Sequence, residues 1–161
     1  MNSEFKNETS FRPDVLSLEY VKEHGVLYSD DVFYLDDFKS CVLFDKDPKL
    51  GGKPFTGLLY ELDDNGILRY YKYYIEGFED GEYVEFYDSG AVASYCIKKY
   101  GAFADKLYEW HRNGKLKCFE EVDKDRRHLI TIRFDDAGNI IFLMEKGEIK
   151  IDKRSSDMKN T

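Results

Sequence analysis

The sequence predicts an all-β protein, an elongated antiparallel β-meander of successive 24-residue β-hairpin repeats with a short N-terminal cap. The first observation is a set of turn-like dipeptides whose glycines recur every 24 residues: Asn65-Gly66, Ser89-Gly90, Asn113-Gly114 and Ala137-Gly138. Such self-similarity at a fixed period is the mark of a repeat architecture. The second is the alternation of apolar and polar residues on both sides of each turn, which is typical of hairpins. An aromatic content of 16% also suits a thin, half-buried sheet.

The turn residues predict the loop and the register of each hairpin. In the first repeat, Asp63 to Gly66 suits a three-residue loop in which Gly66 adopts the left-handed conformation. This loop would put four large residues on one face: Tyr60, Leu62, Leu68 and Tyr70. The other face would carry a second column: Tyr71, Tyr95, Phe119 and Leu143. Acids would then lie opposite bases across the strands, Glu61 with Arg69 and Glu109 with Lys117.

The spacing divides the chain into three parts. Residues 1–53 are predicted to be the N-terminal cap and lead-in strands, 54–152 the repeat sheet, and 153–161 a polar tail. Within the cap, residues 32–34 and 41–44 are expected to form short strands, whereas residues 14–23 fit either a helix or a strand. Lys146-Gly147 is expected to close a last hairpin, and the cap is expected to close the open end of the first repeat.

Charge and composition exclude several classes of function. A net charge of -8 argues against nucleic acid as a ligand, which needs a basic stripe. It leaves open both a basic protein partner and a role in keeping a tyrosine-rich sheet soluble. Cys41, Cys96 and Cys118 lack the spacing of a zinc site and are expected to be reduced thiols. No signal-peptide or membrane-spanning stretch is evident, so we expect a cytoplasmic protein without membrane contact.

Catalytic patterns are missing from the sequence. It has no nucleophile elbow, phosphate loop or metal-ligand cluster, so we expect a protein that is not an enzyme and needs no cofactor or metal. His111 beside Trp110 could serve as a base, but an exposed strand histidine is the simpler interpretation. The acidic residues between positions 30 and 37 could meet a basic partner or form a solvated loop.

Tyrosines and acids are the candidate partner-binding residues. Tyrosine anchors protein interfaces at low entropic cost, and nearby acids would complement a basic partner. The candidates are Tyr71, Tyr73, Tyr83, Tyr87, Tyr95, Glu61, Glu85, Glu109 and His111. The alternative is that most of these rings pack together to hold a one-layer sheet.

Several motifs lie in phase with the repeat. They are Pro54-Phe55-Thr56-Gly57, Asp80-Gly81, Phe86-Tyr87-Asp88-Ser89-Gly90 and Asn113-Gly114-Lys115-Leu116-Lys117. Over residues 54–143 the chain resembles the MORN-repeat variant family, the bacterial YwqK-type antitoxin and immunity-like proteins. Asp105 and Asp125 depart from the pattern, since they stand where Gly81 and Gly101 lie one repeat earlier. The resemblance implies a sheet of successive hairpins that neutralises a cognate toxin by binding it. A scaffold or membrane-surface module is the second function associated with such repeats.

Overall fold

The computed structural model describes residues 5–29, 34–35 and 42–153. The helices are α1 (Lys6–Ser10) and α2 (Leu18–His24), and a short 3-10 turn spans Pro48–Leu50. The first strands are β1 (Gly25–Leu27), β2 (Tyr34–Leu35) and β3 (Leu43–Phe44). The repeat strands are β4 (Gly57–Leu62), β5 (Leu68–Ile75), β6 (Phe78–Phe86), β7 (Val92–Lys99), β8 (Ala102–Trp110), β9 (Leu116–Val122), β10 (His128–Phe134), β11 (Ile140–Glu145) and β12 (Glu148–Asp152).

Ten of these strands form a single open sheet. Their order is β1-β4-β5-β6-β7-β8-β9-β10-β11-β12, so each repeat strand pairs with the next one along the chain. All neighbours are antiparallel except β1, which pairs in parallel with β4 at the sheet edge. β2 and β3 form a separate two-stranded ladder. The predicted all-β antiparallel meander is confirmed.

The turns at the predicted glycines close by the same local chemistry. Gly66 lies at φ 79°, and its N–H donates to the backbone oxygen of Asp63 at 2.9 Å. The Asp63 carboxylate accepts from the N–H groups of Asn65 and Ile67 at 2.9 and 2.8 Å. This is the predicted three-residue loop, and an equivalent N–H bond closes the turns at the three later glycines.

The turns between hairpins are of a second kind. Glu76-Gly77, Tyr100-Gly101 and Lys146-Gly147 all combine a positive φ near 50° with one near 80°. Two consecutive positive φ angles define the tight turn whose twist matches that of the flanking strands. The fourth connection, residues 123–127, is longer, with Arg126 at φ 62°. The predicted closing hairpin through Lys146-Gly147 is therefore confirmed.

The predicted side-chain faces were right at the first residue of the strand after each turn, such as Leu68, but wrong beyond it. Leu62 pairs with Leu68, but Glu61 pairs with Tyr70, so Arg69 is the extra residue of a β-bulge. Beyond the bulge every side chain changes face, which places Tyr71 with Tyr60 and moves Tyr70 to the opposite side. The same register shift occurs between the strands of the three later hairpins. The column that includes Tyr71 therefore shares the face of Tyr60.

The N-terminal segment lies across one face of the sheet, which we call the covered face. That face carries Tyr60, Tyr71, Val84, Tyr95, Tyr108, Phe119 and Ile132. Residues 5–24 cross it from the later repeats back to β4. Phe11 packs with its ring centroid 4.2 Å from that of Tyr108, and Val21 is fully buried near β4. Ser17 caps α2, accepting from the N–H of Tyr20 at 3.2 Å.

The opposite face, which we call the open face, is covered only at one end by described residues. There Leu43 and Phe55 pack on Leu59 and Tyr74. The backbone of this segment is held at the Gly77 turn, since the Leu43 N–H donates to the Gly77 oxygen at 2.9 Å. Predictions for residues 30–33, 36–41 and 154–161 lie outside the described residues, including those for the acidic run, Cys41 and most of the polar tail.

Candidate binding face

The nine candidate residues do not form one surface. Tyr71, Tyr73 and Tyr95 lie on the covered face. Tyr71 is fully buried, accepts from the Leu16 N–H at 3.2 Å, and donates to Glu82 at 3.2 Å. Tyr95 donates to the other oxygen of the same carboxylate at 3.3 Å. Burial, with Glu82 nearby, raises the pKa of both hydroxyls. Tyr71 offers no surface to a partner, which matches the alternative in which these rings hold the sheet together.

Tyr87 and His111 lie at the end of the sheet formed by the predicted glycine turns. The Tyr87 hydroxyl donates to the backbone oxygen of Trp110 at 2.7 Å. The Nε2 atom of His111 lies 3.0 Å from the backbone oxygen of Phe134. Each contact joins a residue to one 23 positions later in the next repeat. Both side chains therefore tie successive hairpins together.

The remaining candidates, Tyr83, Glu61, Glu85 and Glu109, lie on the open face. Three of them belong to a line of directly paired residues, which we call the polar row: Glu61, Tyr70, Glu85, Ser94, Glu109, Cys118 and Arg133. The bulge residues flank this row and form the predicted ion pairs, Arg69 with Glu61 at 2.6 Å and Lys117 with Glu109 at 3.1 Å. Although the bulge changes the strict register, long cationic side chains still reach the acids.

Half-buried tyrosines lie beside the acids of the polar row and interact with their carboxylates. The Tyr83 hydroxyl donates to Glu85, and burial together with this carboxylate raises the pKa of Tyr83. The pKa of Tyr70 is also raised, mainly by burial and next by the Glu61 carboxylate. Both rings therefore stay neutral and donate hydrogen bonds at physiological pH. The polar row therefore carries carboxylates that lie against half-buried tyrosine rings.

A groove crosses the open face between the polar row and the turns that join the hairpins. We call it the tyrosine groove; its volume is about 710 Å³. It is lined by Tyr28, Leu43, Leu59, Tyr70, Lys72, Tyr74, Phe78, Glu79, Tyr100, Gly101, Ala102 and Arg126. The sequence did not reveal this groove, because strict alternation placed Tyr70 on the face of Tyr60, whereas the bulge puts it on the open face.

Lys72 occupies the centre of an aromatic cluster in this groove. Its ammonium lies 5.0, 5.6 and 5.5 Å from the ring centroids of Tyr70, Tyr74 and Tyr83. It donates to Glu79 at 2.9 Å. Burial acts to lower the pKa of Lys72, but Tyr74 and Glu79 outweigh burial and leave the pKa raised. Lys72 is therefore a charged, partly desolvated cation.

Within the described part of the chain, no three histidine, cysteine or acidic side chains come together to hold a metal ion. Cys96 and Cys118 are buried on the open face, where burial raises their pKa to about 11 and about 12. Neither described helix has the length or apolar character needed to cross a membrane.

No protein-family model matches this chain, and neither does any curated protein or any solved structure. The resemblance to the MORN-repeat variant family therefore stays a prediction that rests on the motifs and the 24-residue period.

Proposed function

We propose that this protein is a non-enzymatic binding protein, an antitoxin or immunity protein that neutralises a cognate bacterial toxin by direct contact in the cytoplasm. The observation that carries the proposal is the contrast between the two faces. Residues 5–24 cover one face, whereas no described segment packs over the polar row on the other. The half-buried tyrosines of this face are side chains that protein interfaces favour as anchors.

The charges of the polar row support a basic partner. Arg69 and Lys117 are well exposed, at 60% and 51% of their side-chain surface, so their ion pairs with Glu61 and Glu109 are worth at most about 1 kcal/mol each. A partner's arginine could replace either cation at little cost and gain a desolvated contact. Glu85, held by the Tyr83 hydroxyl, needs no such exchange. The overall charge of -8 would speed encounter with a basic domain.

The experiment is co-expression with the product of the neighbouring reading frame. We expect that product to co-purify with the protein and to lose its toxicity in its presence. The charge reversal Glu85→Arg should weaken the complex by about tenfold or more. The matched control is Glu148→Arg in β12, because Glu148 is 76% exposed and lies away from the polar row.

The outcomes separate the proposal from its rivals. If no neighbouring product binds or is neutralised, the antitoxin function is wrong. If Glu148→Arg weakens the complex as much as Glu85→Arg does, the partner does not use the polar row. Flotation of the protein with anionic lipid vesicles would instead favour the membrane-surface module, against which the net charge argues.

A further inference from the structure

We infer that the tyrosine groove binds a carboxylate carried on an apolar peptide segment of a protein partner. This site shares only Tyr70 with the polar row, and its charged residues and the sign of its charge are different. The inference is therefore tested independently of the toxin-binding proposal.

The groove holds a surplus of positive charge. Glu79 is shared by two lysines, with one oxygen 2.9 Å from the Lys72 ammonium and the other 3.6 Å from that of Lys98. The second distance is too long for a hydrogen bond. Arg126 also lines the groove, whereas Glu79 is the one acid in its lining. Lys72 and Arg126 in the lining and Lys98 beside Glu79 therefore set three cations against one acid, in a protein whose net charge is -8.

The two lysines are too buried for water to compensate this imbalance fully. The Lys72 and Lys98 side chains are only 18% and 20% exposed. Lys98 lies 5.2 Å from the Tyr83 ring centroid, and a ring face replaces only part of the hydration of an ammonium. A second carboxylate beside Lys98 would gain a charge-assisted hydrogen bond that Glu79 is too distant to make.

Arg126 is positioned to complete the recognition of that carboxylate. One guanidinium nitrogen donates to the backbone oxygen of Lys99 at 3.3 Å, which holds the side chain beside the Tyr100 turn. A guanidinium has five N–H donors in a planar fork that matches a carboxylate. Among the described residues this is the one hydrogen bond of the Arg126 side chain, so the fork has donors left for a ligand.

The walls of the groove indicate that the carboxylate comes with apolar neighbours. Leu59, Tyr74 and Phe78 line it, and Tyr100 is 68% exposed at its rim. A volume of about 710 Å³ suits a ligand of several residues rather than a single small anion. A nucleic-acid strand would meet the acidic remainder of the surface, which disfavours it. An extended peptide with one acid between apolar residues fits both the charge and the walls.

The test uses two blocked tripeptides, acetyl-Leu-Asp-Phe-amide and its asparagine twin, added to the full-length protein. We expect the aspartate peptide to bind at least about tenfold more tightly, as measured by amide chemical-shift titration, with the shifts centred on residues 98–102 and 126. Lys98→Met should weaken this binding by about tenfold. Lys117→Met, which removes an exposed lysine that flanks the polar row, should leave it unchanged.

A second variant protects the test against misfolding. Arg126→Gly removes the guanidinium at a backbone position with φ 62°, where glycine is favoured, so the fold should tolerate it. It too should weaken the aspartate peptide by about tenfold. Equal binding of the two peptides, shifts elsewhere on the sheet, or full affinity in both Lys98→Met and Arg126→Gly would overturn the inference.

Discussion

Gly77 and Gly101 form a matched pair that tests how the open face is covered at its first repeat. Both occupy the second position of the same tight turn, at φ 80° and φ 79°. A Cβ atom on Gly101 would meet nothing within 4 Å. A Cβ atom on Gly77 would lie 2.4 Å from a methyl carbon of Val42 and 2.8 Å from the backbone oxygen of Leu43. Alanine therefore adds the same backbone strain at both sites but a steric clash at only one.

The expected magnitudes follow from these distances. Placing alanine at a left-handed position costs about 1–2 kcal/mol, so Gly101→Ala should lower the free energy of unfolding by that amount. At Gly77 the clash with backbone cannot be relieved by a rotamer change. The segment near Leu43 must move, which loosens two hydrogen bonds, from the Leu43 N–H to Gly77 at 2.9 Å and from the Gly77 N–H to Phe55 at 2.7 Å. At about 1 kcal/mol each, Gly77→Ala should cost about 3–4 kcal/mol.

Urea unfolding followed by circular dichroism measures both variants against the parent protein, with the free energy taken from the midpoint and slope. We expect Gly77→Ala to lose about 2 kcal/mol more than Gly101→Ala. Amide exchange should also accelerate at Leu43 in Gly77→Ala but not in Gly101→Ala. Equal losses within about 0.5 kcal/mol would refute the close approach of the β3 segment to this turn.

Three further predictions address the covered face, the thiols and the turns. Phe11→Ala should lower the free energy of unfolding by about 2–3 kcal/mol in urea, because the ring packs on three aromatic residues; a loss below about 0.5 kcal/mol would contradict that packing. In a variant with Cys41 replaced by serine, Cys96 and Cys118 should resist a thiol reagent at pH 8 in the folded protein and react after unfolding. The reason is that burial raises the pKa of these thiols to about 11 and about 12. Rapid labelling of the folded protein would contradict their burial. Hydrogen bonds from the Asn139 side chain and backbone lower the pKa of Asp135 in the folded protein. The ionised carboxylate therefore stabilises the fold above its unfolded pKa of about 4, and this stabilisation is lost as the pH falls through the lower folded pKa. Asn139→Ala should raise the pKa of Asp135 in an NMR titration, and an unchanged pKa would contradict the contact.

The candidate site could be predicted from the sequence only in part. The acids Glu61 and Glu109 and their cationic neighbours followed from alternation along two adjacent strands, which is local information. Tyr71 is one of the five predicted tyrosine candidates, yet it is fully buried beneath residues 5–24. Nothing in its own repeat distinguishes a ring covered by a distant segment from a ring open to solvent. A bulge at Arg69 cannot be read from the alternation either, because it shifts the pattern by one residue without breaking it.

The tyrosine groove is a site that the sequence did not predict at all. Lys72, Glu79 and Lys98 come from three successive strands and meet only because β6 contains a second irregularity, between the partners of Lys72 and Tyr74. Arg126 reaches the groove from a turn 54 positions after Lys72, and that turn is longer than the equivalent turns of the earlier repeats. Register changes of this kind cannot be read from a sequence pattern, so the pattern does not predict that two lysines share one carboxylate.

The sequence by itself determined the repeat, the places where the chain turns and the order of the strands. These depend on interactions within a few residues, namely the left-handed glycines, the Asp63-type turn bonds and the alternation of side chains. Only the tertiary structure decided which face each tyrosine joins, which face residues 5–24 cover, and which charges meet in the groove. Those outcomes depend on bulges and on contacts between residues up to 102 positions apart, such as Arg12 with Gly114. Such contacts are stabilised by burial in the folded chain, and they produce no periodic pattern in the sequence.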